Sequence, residues 1–289
     1  MGTQTRQRSA EERAEQAKAL HASIVEQVQQ LADSGEWRRF LDFARSFHSY
    51  SLNNLLLILA QHPDATMVAG FRQWQAKGRQ VRKGAKSIKI FGFREQKTIQ
   101  PDDDNDATES GGTADHPRRY FPILSVFDIT QTDPIDGAEP LPENPTRNLE
   151  GADDHDVLEP LTAHLEGSGW AITREPLAHA NGYTDPDRHL VVLGAGLGVE
   201  QEAKTLIHEA AHIQLEHVND LDEYQQHRGR MEVEAESVAY IVAGLTGFDS
   251  SAYSIGYITG WANEDLDLIR DTAGRVLKAA HTLYDAIES

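Results

Sequence analysis

The sequence predicts an α+β protein of two domains, and three observations lead to this prediction. Apolar side chains recur at helical spacing near both ends of the 289-residue chain. Between these stretches lie short apolar and alternating runs of the kind that form strands. Residues 136–154 combine several prolines with acidic residues, which is typical of a linker. We therefore expect an N-terminal α+β domain over residues 1–135 and a mostly helical C-terminal domain over residues 155–289.

Three helices are predicted to open the N-terminal domain. Leu20, Ile24 and Val28 are spaced for one face of a first helix over residues 8–33. The other elements predicted for this domain are helices around 37–43 and 52–60, strands over 66–68, 87–93 and 120–129, and a short helix over 71–76. Residues 98–117 are poor in hydrophobic side chains and rich in Asp, Gly, Ser and Thr, so we expect a disordered acidic loop there.

The C-terminal domain is predicted to consist mainly of helices. Its predicted helices cover residues 155–168, 200–217, 230–246, 251–261 and 264–287, with short strands over 171–173 and 190–193. Asn181-Gly182 and Asp185-Pro186-Asp187 indicate turns between the two strands.

The most informative motif of the chain is His208-Glu209-Ala210-Ala211-His212. Residues four apart lie on one face of a helix, so both imidazoles can reach the same metal ion. Glu209 projects beside them, where it can take a proton from a water molecule that the metal activates. A strand bordering this helix would offer backbone groups to a peptide substrate laid beside it.

A later acidic helix can supply a third metal ligand. Glu232 follows His212 by 20 residues (232 − 212), which leaves room for a turn and a second helix. Glu232 and Glu236 share a face of that helix, and carboxylates that point to one place repel unless a cation or a hydrogen bond compensates them. The alternative is an exposed helix with two histidines, followed by solvated glutamates.

Composition restricts both the metal ligands and the location of the protein. The chain has no cysteine, which excludes disulfides and thiolate ligands, so a metal site must use His, Asp or Glu. No apolar run approaches the ~20 residues needed to cross a membrane. The N-terminus has no apolar signal-peptide core. We therefore expect a cytoplasmic protein with no membrane partner.

The charge of the chain is divided unevenly between its two parts. The formal net charge is −19 at pH 7. Residues 136–289 contain 9 Lys or Arg against 29 Asp or Glu, whereas residues 1–135 contain 18 against 17. Because six of those 17 acids lie within the predicted acidic loop, the rest of the N-terminal domain is basic, as a nucleic-acid-binding domain would be.

Residues 72–97 form a basic segment with aromatic side chains among the cations. The segment has nine Lys or Arg and a single acid, Glu95; Trp74, Phe91 and Phe93 lie within it, and Phe71 directly precedes it. Cations for phosphates and aromatic faces for unstacked bases are features of single-strand binding. The candidate DNA contacts are Arg72, Trp74, Lys77, Arg79, Arg82, Lys83, Lys86 and Lys89. The alternative is a solvated basic hairpin whose aromatic side chains belong to the core.

The motif His208–His212 followed by Glu232-x-x-Ala235-Glu236 resembles the gluzincin metallopeptidases, in particular the ImmA/IrrE group. The resemblance implies that His208, His212 and Glu232 bind the metal and that Glu209 is the general base. It also implies that Glu236 orients a histidine ligand through its second ring nitrogen. The related position in that group is more often Asp or Asn.

A second resemblance covers residues 49–129. The stretches 49–54 (SYSLNN), 68–74 (VAGFRQW), 81–88 (VRKGAKSI) and 126–132 (VFDITQT) are similar to the N-terminal domain of the ArdC-type antirestriction proteins. That resemblance implies a domain that binds single-stranded DNA and precedes a zincin-like metallopeptidase domain. The stretch 253–261 (YSIGYITGW) is also similar to this family.

The expected function is that of a DNA-associated metallopeptidase in antirestriction. One divalent ion, Zn²⁺ or Mn²⁺, would serve catalysis, and the partners would be single-stranded DNA and an unidentified protein substrate. Tyr240, Tyr253 and Tyr257 are candidate oxyanion helpers, with a buried structural role as the alternative for each. Two other functions stay open: a non-catalytic DNA-coating protein with a structural or vestigial metal, and a protease that cleaves a transcription repressor.

Overall fold

The computed structural model describes residues 9–47, 49–96, 118–138, 156–178, 180–248 and 265–289. Helices and strands alternate irregularly along these ranges, and the strands form small separate sheets, which confirms the predicted α+β class. Three predicted segments lie outside the described residues: the acidic loop 98–117, residues 139–154 of the linker, and the helix 251–261.

The N-terminal part of the chain begins with three helices and continues through seven short strands within the described ranges. In chain order the elements are α1 (Ala10–Gln30), α2 (Ser34–Ser46), α3 (Leu52–Gln61), β1 (Val68–Gly70), α4 (Phe71–Ala76), β2 (Arg79–Val81), β3 (Ile88–Phe91), β4 (Arg94–Gln96), β5 (Arg118–Tyr120), β6 (Ile123–Asp128) and β7 (Thr132–Pro134). Side-chain caps define the first two helix starts: Ser9 and Glu12 form a capping box for α1, and Asp33 caps α2.

The main N-terminal sheet has the order β1-β6-β3, with both neighbours antiparallel to β6. Helix α3 covers the outer edge of β3 with two side-chain amides. Asn54 accepts a hydrogen bond from the Phe91 amide and donates one to its carbonyl, at 2.9 and 2.8 Å. Gln61 does the same for Lys89, at 2.9 Å in both directions. The edge is therefore closed to pairing with another strand.

The buried carboxylate of Asp128 fixes the turn that follows β6. It accepts hydrogen bonds from the backbone amides of Thr66, Met67 and Thr130 and from the Thr130 hydroxyl. Burial alone would raise its pKa, but the four hydrogen bonds together lower it, so the carboxylate stays ionised. This turn directs the chain into β7, which pairs with β2.

The C-terminal part places a small sheet beside three long helices. Its elements are α5 (Leu158–Gly167), β8 (Ala171–Glu175), β9 (Gly182–Asp185), β10 (Leu190–Gly194), α6 (Val199–Gln214), α7 (Leu221–Leu245) and α8 (Leu266–Glu288). Strand β10 lies in the centre of the sheet, parallel to β8 and antiparallel to β9. Strand β9 is thus an edge strand, and it lies next to helix α6.

Side chains from both parts of the chain form one continuous hydrophobic core. Helix α2 packs on α7, where the Trp37 indole donates a hydrogen bond of 3.0 Å to the Ser237 hydroxyl at a buried position. Helices α1 and α3 also contact α8. The division into domains at residues 135 and 155 stays a prediction, and α1–α3 share their core with the C-terminal helices.

Among the described helices, none has the length and apolar character required to cross a membrane.

Candidate metal centre and candidate DNA-binding surface

Helix α6 presents His208 and His212 on one face because they are four residues apart. The opposite side of the helix is anchored by fully buried apolar residues, including Leu206 and Ala210. This anchoring fixes the rotation of the helix, so both imidazoles face helix α7. His212 is buried and His208 is partly exposed.

Helix α7 returns along α6 and brings Glu232 to the two histidines. Asp220 caps its start by accepting hydrogen bonds from the amides of Asp222 and Glu223. A non-helical residue, His227 (φ −116°, ψ 18°), interrupts the helix between its first turns and Glu232. Helix α7 begins nine residues before the predicted start at residue 230, but the helical segment that follows the kink begins close to that prediction.

The three predicted ligands lie at distances that suit one metal ion. The Nε2 atoms of His208 and His212 are 3.2 Å apart. The Oε2 atom of Glu232 lies 3.8 Å from Nε2 of His208 and 3.9 Å from Nε2 of His212. Ligand atoms around a tetrahedral zinc ion with bonds near 2.0–2.2 Å are about 3.4 Å apart. Small side-chain movements therefore suffice to hold a divalent cation, and the His2Glu donor set fits such an ion.

Glu209 lies beside this cluster and is held by strand β9. The Thr184 hydroxyl donates a hydrogen bond of 2.7 Å to Oε2 of Glu209. Gly182 allows β9 to come this close, because a Cβ atom there would lie 2.7 Å from Cγ2 of Thr205 on α6. Thr184 was not predicted as a site residue, since its contact depends on how β9 pairs with β10.

Two further side chains flank the ligands. Oε1 of Glu236 lies 3.7 Å from Nδ1 of His208, the ring nitrogen opposite to the one that faces Glu232. This distance is longer than a hydrogen bond, but it places Glu236 on the side where the resemblance puts an orienting group. The Tyr224 hydroxyl donates a hydrogen bond of 2.5 Å to Oε1 of Glu232, which leaves Oε2 directed toward the histidines.

Burial and the cluster's own charges set the protonation of the site. Burial, with a smaller contribution from the charge of Glu232, raises the pKa of both Glu209 and Glu236 to about 7. Burial lowers the pKa of His212 to about 3 and also lowers that of His208, so both imidazoles are neutral and have lone pairs for a cation. A bound cation would favour the ionised form of both carboxylates.

A buried pair, His217 and Glu234, lies behind His212. Nδ1 of His217 is 3.1 Å from Nδ1 of His212, and Nε2 of His217 is 2.8 Å from Oε2 of Glu234. Burial would raise the pKa of Glu234, but the hydrogen bond from His217 and the charge of Arg275 lower it. The sequence signal for this pair was weak: one histidine five residues after the motif and a glutamate between Glu232 and Glu236.

The oxyanion-helper prediction is wrong for Tyr240. This residue is buried, and its hydroxyl donates a hydrogen bond to Asp42 on α2. Its ring also lies beneath the guanidinium groups of Arg38 and Arg45, so it belongs to the packing between α2 and α7. Tyr253 and Tyr257 lie outside the described residues. The tyrosine that the structure places beside the metal ligands is Tyr224.

Of the predicted DNA contacts, five side chains are exposed, two are partly buried, and Trp74 is fully buried. Arg72, Lys77, Arg82, Lys83 and Lys86 are exposed. Arg82, Lys83 and Lys86 surround the tight turn from β2 to β3, in which Gly84 adopts a positive φ of 88° and the Ala85 amide donates to the Arg82 carbonyl. Arg79 and Lys89 are partly buried, and their cationic groups donate to Thr132 and to Ser87 and Ser125, respectively.

Trp74 is wrong as a DNA contact. It is fully buried, and its indole nitrogen donates a hydrogen bond of 2.8 Å to the Phe127 carbonyl. The aromatic side chains that reach solvent in the N-terminal part of the chain include Phe93 and Phe121, which are 59% and 64% exposed. Their ring centroids are 5.9 Å apart; Phe93 lies between β3 and β4, and Phe121 lies between β5 and β6.

Comparison with known proteins gives one family match, one similar curated protein and similar solved structures. The chain is 25% identical to an uncharacterized protein of Bacillus anthracis over 285 residues, which is 88% of this chain and 48% of that protein. The chain thus spans about half the length of that relative. Two crystal structures of the antirestriction ArdC protein from plasmid R388 are also similar. The metal-free one is 21% identical with a TM-score of 0.45, covering 83% of this chain and 85% of that one. The Mn(II)-bound one is 22% identical with a TM-score of 0.47, covering 82% and 89%.

The family match concerns the N-terminal part of the chain. It begins within α1 and ends within β6, so it contains the basic turn and lies outside the metal-site residues. Residues 14–127 match the family model of the N-terminal domain of anti-restriction factor ArdC.

Proposed function

We propose that this protein is a divalent-metal-dependent peptidase that binds single-stranded DNA and acts in antirestriction. The observation that supports the peptidase most is the convergence of His208, His212 and Glu232 beside a buried Glu209. Hydrolytic metal centres commonly combine three protein ligands with an adjacent carboxylate. The similarity of residues 14–127 to an anti-restriction factor supports the biological role.

The chemistry follows from the roles that the side chains can take. A divalent ion held by the three ligands would polarise the scissile carbonyl and lower the pKa of water. Glu209 accepts the proton of the attacking water and transfers it to the leaving amine. The Thr184 hydroxyl holds one carboxylate oxygen of Glu209, which leaves the other for this proton transfer. Tyr224 directs Glu232 toward the histidines.

Strand β9 is the proposed docking edge for the peptide substrate. In the described part of the chain it pairs with β10 on one side only, and Thr184 in its middle contacts Glu209. An extended peptide added to the other edge would gain main-chain hydrogen bonds and would lie across the catalytic carboxylate. Tyr183 in the same strand is 39% exposed.

Single-stranded DNA is the proposed ligand of the N-terminal surface. The exposed cations of the β2–β3 turn can contact phosphates without sequence preference. The exposed Phe93–Phe121 pair can take the stacking role that the sequence had suggested for Trp74. In the sequence, this pair directly adjoins Arg94 in β4 and lies close to Arg118 and Arg119 in β5.

The peptidase proposal predicts metal-dependent hydrolysis of an unfolded protein. Protein from which a chelator has removed the metal should not cleave denatured casein. Addition of zinc or manganese should restore cleavage. Each assay is run with and without an oligonucleotide, because DNA could deliver the substrate or the enzyme. Absence of cleavage with every divalent metal tested, with the metal bound and with DNA present, would contradict the proposal.

The DNA proposal predicts that charge reversal at the β2–β3 turn weakens binding in the full chain. Arg82→Glu, Lys83→Glu and Lys86→Glu together should lower affinity for an oligonucleotide. They should also reduce the salt slope of log K by about 2, since each phosphate contact contributes about 0.7 for single strands. Fluorescence anisotropy across a salt series measures both quantities.

The matched control reverses three exposed cations elsewhere, Arg39, Arg188 and Lys278, and so makes the same change in net charge. This control should retain most of the affinity and the original salt slope. Equal losses in both triple variants would show that only overall charge matters and that the turn is a solvated face.

A further inference from the structure

A buried series of three side chains leads away from the metal ligand His212. Nδ1 of His212 contacts Nδ1 of His217 at 3.1 Å, and Nε2 of His217 contacts Oε2 of Glu234 at 2.8 Å. His217 and Glu234 are each only 1% exposed, so water does not compete for these contacts. A buried hydrogen-bonded series of this kind has to be satisfied at each member.

Metal binding would fix the direction of every hydrogen bond in this series. Nε2 of His212 faces Glu232 and His208, so its lone pair is the one available to an ion. The remaining ring proton of His212 must then sit on Nδ1 and be donated to His217. His217 accepts at its own Nδ1, which places its proton on Nε2, directed at the Glu234 carboxylate.

The end of helix α6 is shaped to hold His217 against His212. The His217 amide donates to the His212 carbonyl at 3.0 Å, and the Glu216 amide donates to the Ile213 carbonyl at 3.0 Å. This is the Schellman pattern, in which the residue at Glu216 adopts a left-handed conformation. Glu216 has φ of 62°, a backbone conformation that is less costly for glycine than for glutamate. The turn therefore forms in spite of an unfavourable residue type.

Helix α8 holds Glu234 from the other side. The Thr272 hydroxyl donates to Oε1 of Glu234 at 3.0 Å, and Nη1 of Arg275 lies 3.7 Å from Oε2. Arg275 also donates to the Leu215 carbonyl at 2.6 Å, at the end of α6. The three helices α6, α7 and α8 therefore meet at this carboxylate.

We propose that His217 and Glu234 are positioning residues. They orient the ring of His212 and increase its affinity for the metal, and Glu234 acts on His212 through the imidazole of His217. A carboxylate that accepts from a metal-bound histidine fixes the ring and raises the basicity of the ligand nitrogen. Here the carboxylate acts through an intervening histidine. Glu236, which faces Nδ1 of His208, is the corresponding group for the other imidazole.

The inference rests on the proposed metal site, and the test separates the two. Metal dissociation constants are measured by chelator competition for the wild type, Glu234→Gln and Thr272→Val, and apo-protein melting is recorded for each. If the wild-type protein binds no metal, the proposed metal site itself is wrong. Wild-type binding that Glu234→Gln leaves unchanged would overturn only the positioning role.

Glu234→Gln is expected to weaken metal binding by about 10- to 100-fold, the range found for groups that support a metal ligand. Thr272→Val removes only the hydroxyl that holds Glu234 and should weaken binding less, in the same direction. The control Thr132→Val removes a buried hydroxyl remote from the site, so it should lower the melting temperature without changing metal affinity. If Glu234→Gln fails to fold, Thr272→Val decides, and unchanged affinity in that variant would overturn the proposal.

Discussion

His212→Ala is expected to abolish stoichiometric binding of a divalent metal. The substitution removes a ligand of the three-residue set and also leaves the Nδ1 of His217 without its neighbour. Two remaining ligands form an incomplete site for an ion that takes three protein donors in hydrolytic centres. Metal analysis after equilibration and desalting measures the effect, and circular dichroism shows whether the apo-protein is still folded.

The matched control for this variant is His189→Ala. His189 is an exposed histidine that stacks on Trp170 and is not among the metal ligands. This control should bind one ion per chain, as the wild type does. Full occupancy in folded His212→Ala would remove His212 from the site.

Glu209→Gln is expected to lower the rate of peptide hydrolysis by about 10²- to 10⁴-fold, the usual contribution of a general acid–base group. The substitution keeps the size of the side chain and an oxygen that can accept from Thr184, so the fold and metal binding should survive. Turnover of the metal-loaded variants on the same unfolded substrate provides the comparison. Glu200→Gln, a partly exposed position in the first turn of the same helix, should retain wild-type activity.

Protection of DNA in cells then separates catalysis from coating. If the peptidase produces antirestriction, Glu209→Gln should fail to protect incoming DNA even though it still binds oligonucleotides. If protection persists in this variant but is lost when Arg82, Lys83 and Lys86 are reversed in charge, the protein protects by covering single strands. The metal would then have a structural role.

The elements that carry long apolar periodicity were predictable from the sequence. Helices α1, α3, α6 and α8 all lie within a few residues of their predicted ranges, because one face of each is buried in the common core. Strands β2, β4 and β7 were missed because three residues are too few to show alternation. Strand β9 was missed because turn signals bracket its four residues on both sides.

The spacing of the metal motif predicted which ligands would meet, but not what supports them. His208 and His212 are adjacent through helix geometry alone, which a sequence shows directly. Thr184, Tyr224 and His217 reach the site through strand pairing, a helix kink and a left-handed turn, respectively. Those depend on tertiary structure, so the residue types alone did not mark them.

The wrong predictions for Trp74 and Tyr240 have one physical cause. Trp74 and Tyr240 lie near functional residues in the sequence, but both side chains point to the core and use their polar atoms there. A tryptophan or tyrosine buries a large apolar surface when one hydrogen-bond partner is available. Phe127 supplies that partner for Trp74 and Asp42 supplies it for Tyr240, and neither partner is close in sequence.

The most direct test of the metal centre is a crystal structure of the protein grown with a divalent transition metal, with anomalous differences recorded at the absorption edge of that metal. We expect one strong anomalous peak about 2.0–2.2 Å from Nε2 of His208, Nε2 of His212 and one carboxylate oxygen of Glu232. Glu209 should lie beside the ion with its hydrogen bond to Thr184 intact. A peak away from these three side chains, or a site that does not include Glu232, would contradict the account.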